Sequence, residues 1–141
     1  MLISLTQFSV VPIRLKAVQA HLATILCVDD SSVMRKMVSY TLIASDYRCL
    51  EAADGQEGLN ILATENVDLI ITDYNMPVMN GLDFTSAIRK LEKFKYTPIL
   101  LLSTEGSDSL RQAAKERGAT GWIVKSFNPE KPMRIISKVL C

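Results

Sequence analysis

Thr24-Ile25-Leu26-Cys27-Val28-Asp29-Asp30 is the stretch that decides the fold: a short, mostly apolar run that ends abruptly on two acids. Aliphatic residues without polar alternation read as a strand buried on both faces. Three further runs repeat the design. Leu69-Ile70-Ile71-Thr72 stops at Asp73, Ile99-Leu100-Leu101-Leu102 at Ser103-Thr104, and Trp122-Ile123-Val124 at Lys125. If these are parallel strands of one sheet, their polar terminal residues emerge along one edge. Three carboxylates, a hydroxyl and an ammonium then share one small cleft. Such a set points to a divalent cation held by acids, beside a nucleophile and a positive charge.

Outward from these runs the chain alternates strand and helix. Ser31 and Ser32 are cap residues for a helix through Tyr40, with Val33, Met37, Val38 and Thr41 at helical spacing. Arg48 to Ala52 is a less apolar strand, nearer an edge, and Asp54-Gly55 is a turn signal. A helix is expected over Glu57 to Ala63, a strand over Val67 to Thr72, and a helix over Leu82 to Leu91. In that last helix Phe84, Ala87, Ile88 and Leu91 form one stripe. Pro98 to Leu102 is the next strand, and Ser107 caps a helix that stops at Gly118, a left-handed terminus. Gly121 to Val124 is the fifth strand. Asn128-Pro129 fits a cap with proline in the first turn of a last helix, whose apolar face is Ile135, Ile136, Val139 and Leu140. Five strands alternating with five helices imply an α/β fold: a doubly wound parallel sheet with helices on both faces.

At 141 residues the chain has length for one domain with a real core and not for two. Sixteen basic and 15 acidic side chains leave a net charge of +1, so no field of one sign is available to draw in nucleic acid. No run approaches the ~18 apolar residues of a membrane span. Cys27, Cys49 and Cys141 are an odd set without CxxC spacing, which fits a reducing cytoplasm. Residues 1–21 are set apart as an N-terminal extension of uncertain structure. Met1 to Val11 is rather apolar but has no positive charge ahead of it, which makes a poor secretory signal.

The acids carry the chemistry. Asp29, Asp30 and Asp73 converge if the first and third strands are neighbours, and three negative charges that close raise one another's pKa. A divalent cation relieves the repulsion, and oxygen ligands with a partly open shell suit Mg²⁺. Carboxylates also act as covalent nucleophiles towards phosphorus, and Asp73 has the best position, alone at a strand end before a loop. Taken singly, Asp29-Asp30 also reads as a helix cap and Asp73 as a turn residue. Lys125 is placed to neutralise phosphoryl charge. Ser103 offers a hydroxyl to a phosphoryl oxygen, with Thr104 as its competitor one position on.

Four ordered segments now look familiar: Val28-Asp29-Asp30-Ser31-Ser32-Val33-Met34-Arg35, Asp73-Tyr74-Asn75-Met76-Pro77-Val78-Met79-Asn80-Gly81, Pro98-Ile99-Leu100-Leu101-Leu102-Ser103 and Lys125-Ser126-Phe127. Together they resemble the receiver domain of two-component response regulators, most nearly the stand-alone, CheY-like chemotaxis type. The resemblance covers about residues 22–140, so residues 22–141 are assigned as the receiver domain. It implies a flavodoxin-like sheet of order 2-1-3-4-5. It implies that Asp73 takes a phosphoryl group from a histidine kinase, with Mg²⁺ as cofactor. Asp30 resembles a direct metal ligand, Asp29 the acid that holds the ion mainly through water, and Asn75 the donor of a backbone carbonyl. Ser103 and Lys125 resemble the pair drawn toward the phosphoryl group, and Trp122 the aromatic switch that turns inward when Ser103 moves. The implied output face is the fourth helix, fifth strand and fifth helix, read by a protein partner, with the domain a monomer or a phosphorylation-dependent dimer.

The chain departs from the family pattern in places. Ser126 follows Lys125 where proline is usual, often after a cis bond, and a cis bond before serine costs about 3 kcal/mol. Trp122 is bulkier than the commoner Tyr or Phe. Ser107 and Asp108 stand where the chemotaxis regulator carries lysines, which weakens the inference of motor binding.

Three other functions are weighed. An aspartyl phosphohydrolase commonly needs a second acid two residues after the nucleophile, and here that residue is Asn75; at most slow self-dephosphorylation is expected. A flavin or nucleotide binder wants a glycine- or hydroxyl-rich phosphate loop where Asp29-Asp30 stands. A receiver-like scaffold that is never phosphorylated has no need of the intact acids.

Overall fold

β1, Thr24–Val28, is buried at every residue because it runs through the middle of the sheet. The computed structural model describes residues 22–125 and 130–140. Within them four more strands follow: β2 (Arg48–Ala52), β3 (Leu69–Asp73), β4 (Ile99–Ser103) and β5 (Gly121–Val124). All pairings are parallel, and the order is β2-β1-β3-β4-β5. This is the doubly wound, flavodoxin-like order that the resemblance implied. Asp73 closes β3 instead of following it, paired in register with Leu102.

The helices are α1 (Ser32–Ala44), α2 (Gly55–Leu62), α3 (Gly81–Arg89), α4 (Asp108–Glu116) and α5 (Glu130–Leu140). Alternate side chains of each strand feed opposite faces of the sheet. Leu26, Val28 and Ile70 meet Leu62, Phe84 and Ile88 on the α2–α3 side, and Leu101 meets Leu82 and Ala114 beside α4. Ile25, Ile71, Leu100 and Ile123 meet Leu42 and Ile136 on the α1–α5 side. Side-chain oxygens cap four helices: Ser31 accepts from the Met34 N–H at 3.3 Å, Asp54 from Glu57 at 2.8 Å, Asn80 from Asp83 at 2.9 Å and Ser107 from Leu110 at 3.3 Å. Each satisfies an amide that the helix leaves unpaired.

Several boundaries differ from expectation. Asp54-Gly55 is no free turn: Asp54 caps α2, and Gly55 is its first residue. α1 runs past Tyr40 to Ala44, and Asp46 reverses the chain with φ 69°. Its inward face is Ser39 and Leu42, supported by Val38, which rotates Val33 outward to 70% exposure. α3 stops at Arg89, and a single 3₁₀ turn over Glu92–Phe94 then buries Phe94. Gly118 has the expected left-handed conformation, φ 102°. No helix among the described residues is long and apolar enough to cross a membrane. The 1–21 extension, the Asn128-Pro129 cap and the Lys125–Ser126 bond lie outside the described residues.

Candidate metal centre

The strand order reverses between β1 and β3, so the helices leaving these two strands lie on opposite faces and open a crevice at their carboxyl ends. Asp29 follows β1 and Asp73 ends β3. Carboxylate oxygens of Asp29, Asp30 and Asp73 all lie within 4.8 Å of one another. Asp29 and Asp73 are buried, at 2% and 5% exposure, while Asp30 is exposed at the mouth. Lys125 enters from the end of β5. Its Nζ stands 3.1 Å from Asp73 Oδ1 and 3.3 Å from Asp29 Oδ2. One ammonium therefore faces two buried carboxylates.

The electrostatics follow from that crowding. Burial, then the charge of Asp29, push the Asp73 carboxyl above its ordinary pKa, although Lys125 and the Asn75 amide pull it back. For Lys125 burial favours the neutral amine, but Asp29 and Asp73 together outweigh it and hold the ammonium more firmly charged than usual. Asp29 Oδ1 accepts from the Ser31 N–H at 2.9 Å. Asp29 Oδ2 is buried and has no hydrogen-bond partner among the described residues; the Lys125 ammonium, 3.3 Å away, meets it as a counter-charge. A buried carboxylate oxygen left open, inside a cluster of hard oxygen donors, fits a small divalent cation.

The remaining candidates separate. Ser103 is buried at the end of β4; its Oγ accepts from the Glu105 N–H at 3.0 Å, which leaves its own hydroxyl proton to donate. Among the described residues no hydrogen bond joins it to the carboxylates. Thr104 points into solvent. Asn75 is exposed on the loop that leaves β3, and its backbone amide hydrogen-bonds the Asp73 carboxylate. Trp122 meets Tyr74 and Glu105. Its ring lies 5.7 Å from that of Tyr74, tilted by 43°, and its indole N–H donates to the Glu105 carbonyl at 2.8 Å. The loop after Ser103 thus holds both the hydroxyl and the indole.

Sequence reasoning missed four members of this neighbourhood: Tyr74, Glu105, Arg35 and Glu51. Arg35 donates from Nη1 to the Asp29 carbonyl at 2.6 Å and from Nε to Glu51 at 3.2 Å. Only Tyr74 had a usable signal, an aromatic beside the nucleophile. Glu51 and Glu105 meet their partners through strand pairings that no local spacing encodes.

Parallel order, crevice, acid trio and lysine define a class. Residues 25–137 match the response regulator receiver domain, and the chain belongs to that family, the phosphorylation-dependent switches of two-component signalling. Its members are signalling proteins, not classical enzymes. Among individual relatives, the chain is 41% identical over 108 residues to the chemotaxis protein CheY1 of Helicobacter pylori, across 75% of this chain and 87% of that protein. It is 34% identical over 117 residues to the two-component response regulator ORR3 of Oryza sativa, across 82% and 89%. The chemotaxis response regulator CheY4 of Vibrio cholerae superposes with a TM-score of 0.82 at 47% identity, covering 85% of this chain and all of that one. The response regulator TrrA of Thermotoga maritima, solved in complex with Mg²⁺ and BeF, gives 0.75 at 32% identity, covering 84% and 99%.

Proposed function

We propose that Asp73 is the phosphoacceptor of this switch. The observation that carries the reading is the buried Asp73 carboxylate, paired to Lys125 at 3.1 Å and set in an acid trio at the crevice. A carboxylate oxygen of Asp73 attacks phosphorus of a phosphohistidine on a kinase. The P–N bond breaks as the P–O bond forms, and the histidine ring leaves and takes up a proton. The product is an acyl phosphate on Asp73.

Asp30, Asp73 and the Asn75 carbonyl would hold Mg²⁺ directly, with Asp29 holding it mainly through water. When bound, the ion neutralises charge on the transferring group. Lys125 contributes a second positive charge. The phosphoryl group brings up to two negative charges and three acceptor oxygens. Ser103 turns its hydroxyl toward it, and the loop through Glu105 moves with Ser103. That motion releases or resets the Trp122 indole, which changes the face formed by α4, β5 and α5. A protein partner reads that face. We assign residues 22–141 to the receiver domain and place it in the cytoplasm, which accords with the free thiols of Cys27 and Cys49.

The sequence has a single tryptophan, so tryptophan emission comes from Trp122 alone. Mg²⁺ with BeF₃⁻ or a small acyl phosphate is expected to change Trp122 emission in the wild type and not in Asp73→Asn. An equal response in Asp73→Asn would place the acceptor elsewhere.

A further inference from the structure

We propose that Arg35 is a positioning residue for the metal centre, fixing the Asp29 peptide while Glu51 fixes Arg35. The inference rests on the functional reading above, in that Asp29 is taken to serve Mg²⁺.

Asp29 lies just beyond the last residue of β1, where ladder hydrogen bonds run out. Its N–H still donates to the Ala52 carbonyl at 3.1 Å, and its Oδ1 accepts from Ser31. Its carbonyl receives the Arg35 guanidinium at 2.6 Å. Amide, carbonyl and one carboxylate oxygen are all committed, and Oδ2 alone is presented to the cluster. A charge-assisted bond to the carbonyl resists rotation of the peptide that carries this carboxylate.

Arg35 is itself held. It sits in the first turn of α1, and its Nε reaches across to Glu51 of β2 at 3.2 Å. Glu51 also pairs with Lys36 at 3.1 Å. Glu51 stands beside Cys27 in the β1–β2 register, two residues before Asp29. The guanidinium thus spans helix, strand and site with two donors aimed in different directions. A lysine keeps the charge but lacks that fixed fork. Residues that orient a metal ligand from behind typically change metal affinity about 10–100-fold when replaced.

Mg²⁺ titration by calorimetry separates this role from a plain staple between α1 and β2. Arg35→Lys is expected to weaken Mg²⁺ binding about tenfold, and Glu51→Gln to weaken it in the same direction by a smaller factor. Urea unfolding of each variant reports stability independently. A lower urea midpoint with Mg²⁺ affinity within twofold of wild type overturns the proposal. Should Arg35→Lys fail to fold, Glu51→Gln decides by the same criterion. A wild type that takes up no Mg²⁺ overturns the functional reading and the brace together. A wild type that binds, with Asp29→Asn weakened and both brace variants unchanged, overturns the brace alone.

Discussion

Asp73 is buried beside the charge of Asp29, and both push its carboxyl above the ordinary pKa. The sign of its effect on stability follows. An acid whose folded pKa exceeds its unfolded value adds stability while protonated, and that contribution is lost as pH rises through the folded value. At neutral pH the ionised group therefore opposes folding, and an uncharged amide does not. Metal-free Asp73→Asn is expected to melt above the wild type at neutral pH, by about 4 °C for each kcal/mol relieved. The gap closes as mild acid protonates the wild-type group. Calorimetric scans at several pH values check this, and an Asp73→Asn that melts at or below wild type at neutral pH contradicts it. Val78 is strained for a different reason. It is β-branched, 88% exposed, and held at φ 70°. A left-handed conformation costs such a residue about 1–2 kcal/mol. Asparagine tolerates the region better, so Val78→Asn is expected to gain about 1 kcal/mol in urea unfolding; an unmoved midpoint refutes the strain.

Among the elements, the joint between β3 and α3 is the tightest near the site. Gly81 donates to the Tyr74 carbonyl at 2.7 Å, and a Cβ there would lie 2.7 Å from the Asp73 carbonyl oxygen and 2.5 Å from Leu101 Cδ2. The leucine can shift; the Asp73 backbone cannot without moving its carboxylate. Gly81→Ala is expected to lose about 1–3 kcal/mol in urea unfolding and to blunt the Trp122 response to Mg²⁺ and BeF₃⁻. An alanine variant equal to wild type in both would mean the loop has slack. The elements also divide by how readable they are in the sequence. β1, β3 and β4 were plain because burial on both faces makes each a short aliphatic run, with polar residues only toward its ends. α1 was read correctly at Val38 and Thr41 but not at Val33 and Met37, which look as apolar as the true contacts and face solvent. The deciding contact is Leu42, beyond the point where the helix was expected to stop. Asp54-Gly55 misled because cap and turn use the same residues.

At the scale of the molecule, two apolar layers clamp one sheet, and the acids sit where that sheet changes the face its helices cover. The order of the strands was available through family resemblance alone; periodicity and composition do not fix it. Convergence of Asp29, Asp30 and Asp73 followed once parallel pairing was assumed, since equivalent strand ends must meet. The Arg35–Glu51 link was not readable, because it joins a helix to a strand 16 residues away through side chains that look like ordinary surface charges. Under the proposed function, ligand binding stabilises the whole fold. Mg²⁺ at 100 times its dissociation constant adds about 2.7 kcal/mol, seen as a raised melting temperature. Asp29→Asn is expected to lose most of that gain, and an equal gain in the variant would count against the acid trio as the binding locus.

Lys125 divides its attention between two acids, at 3.1 Å and 3.3 Å. Whatever draws its ammonium further toward position 73 strips position 29 of its nearest counter-charge, and a bare carboxylate in that depth must then recruit another cation. Occupancy of one acid and neutralisation of the other are thus thermodynamically yoked, and by reciprocity each tightens the other by the same factor.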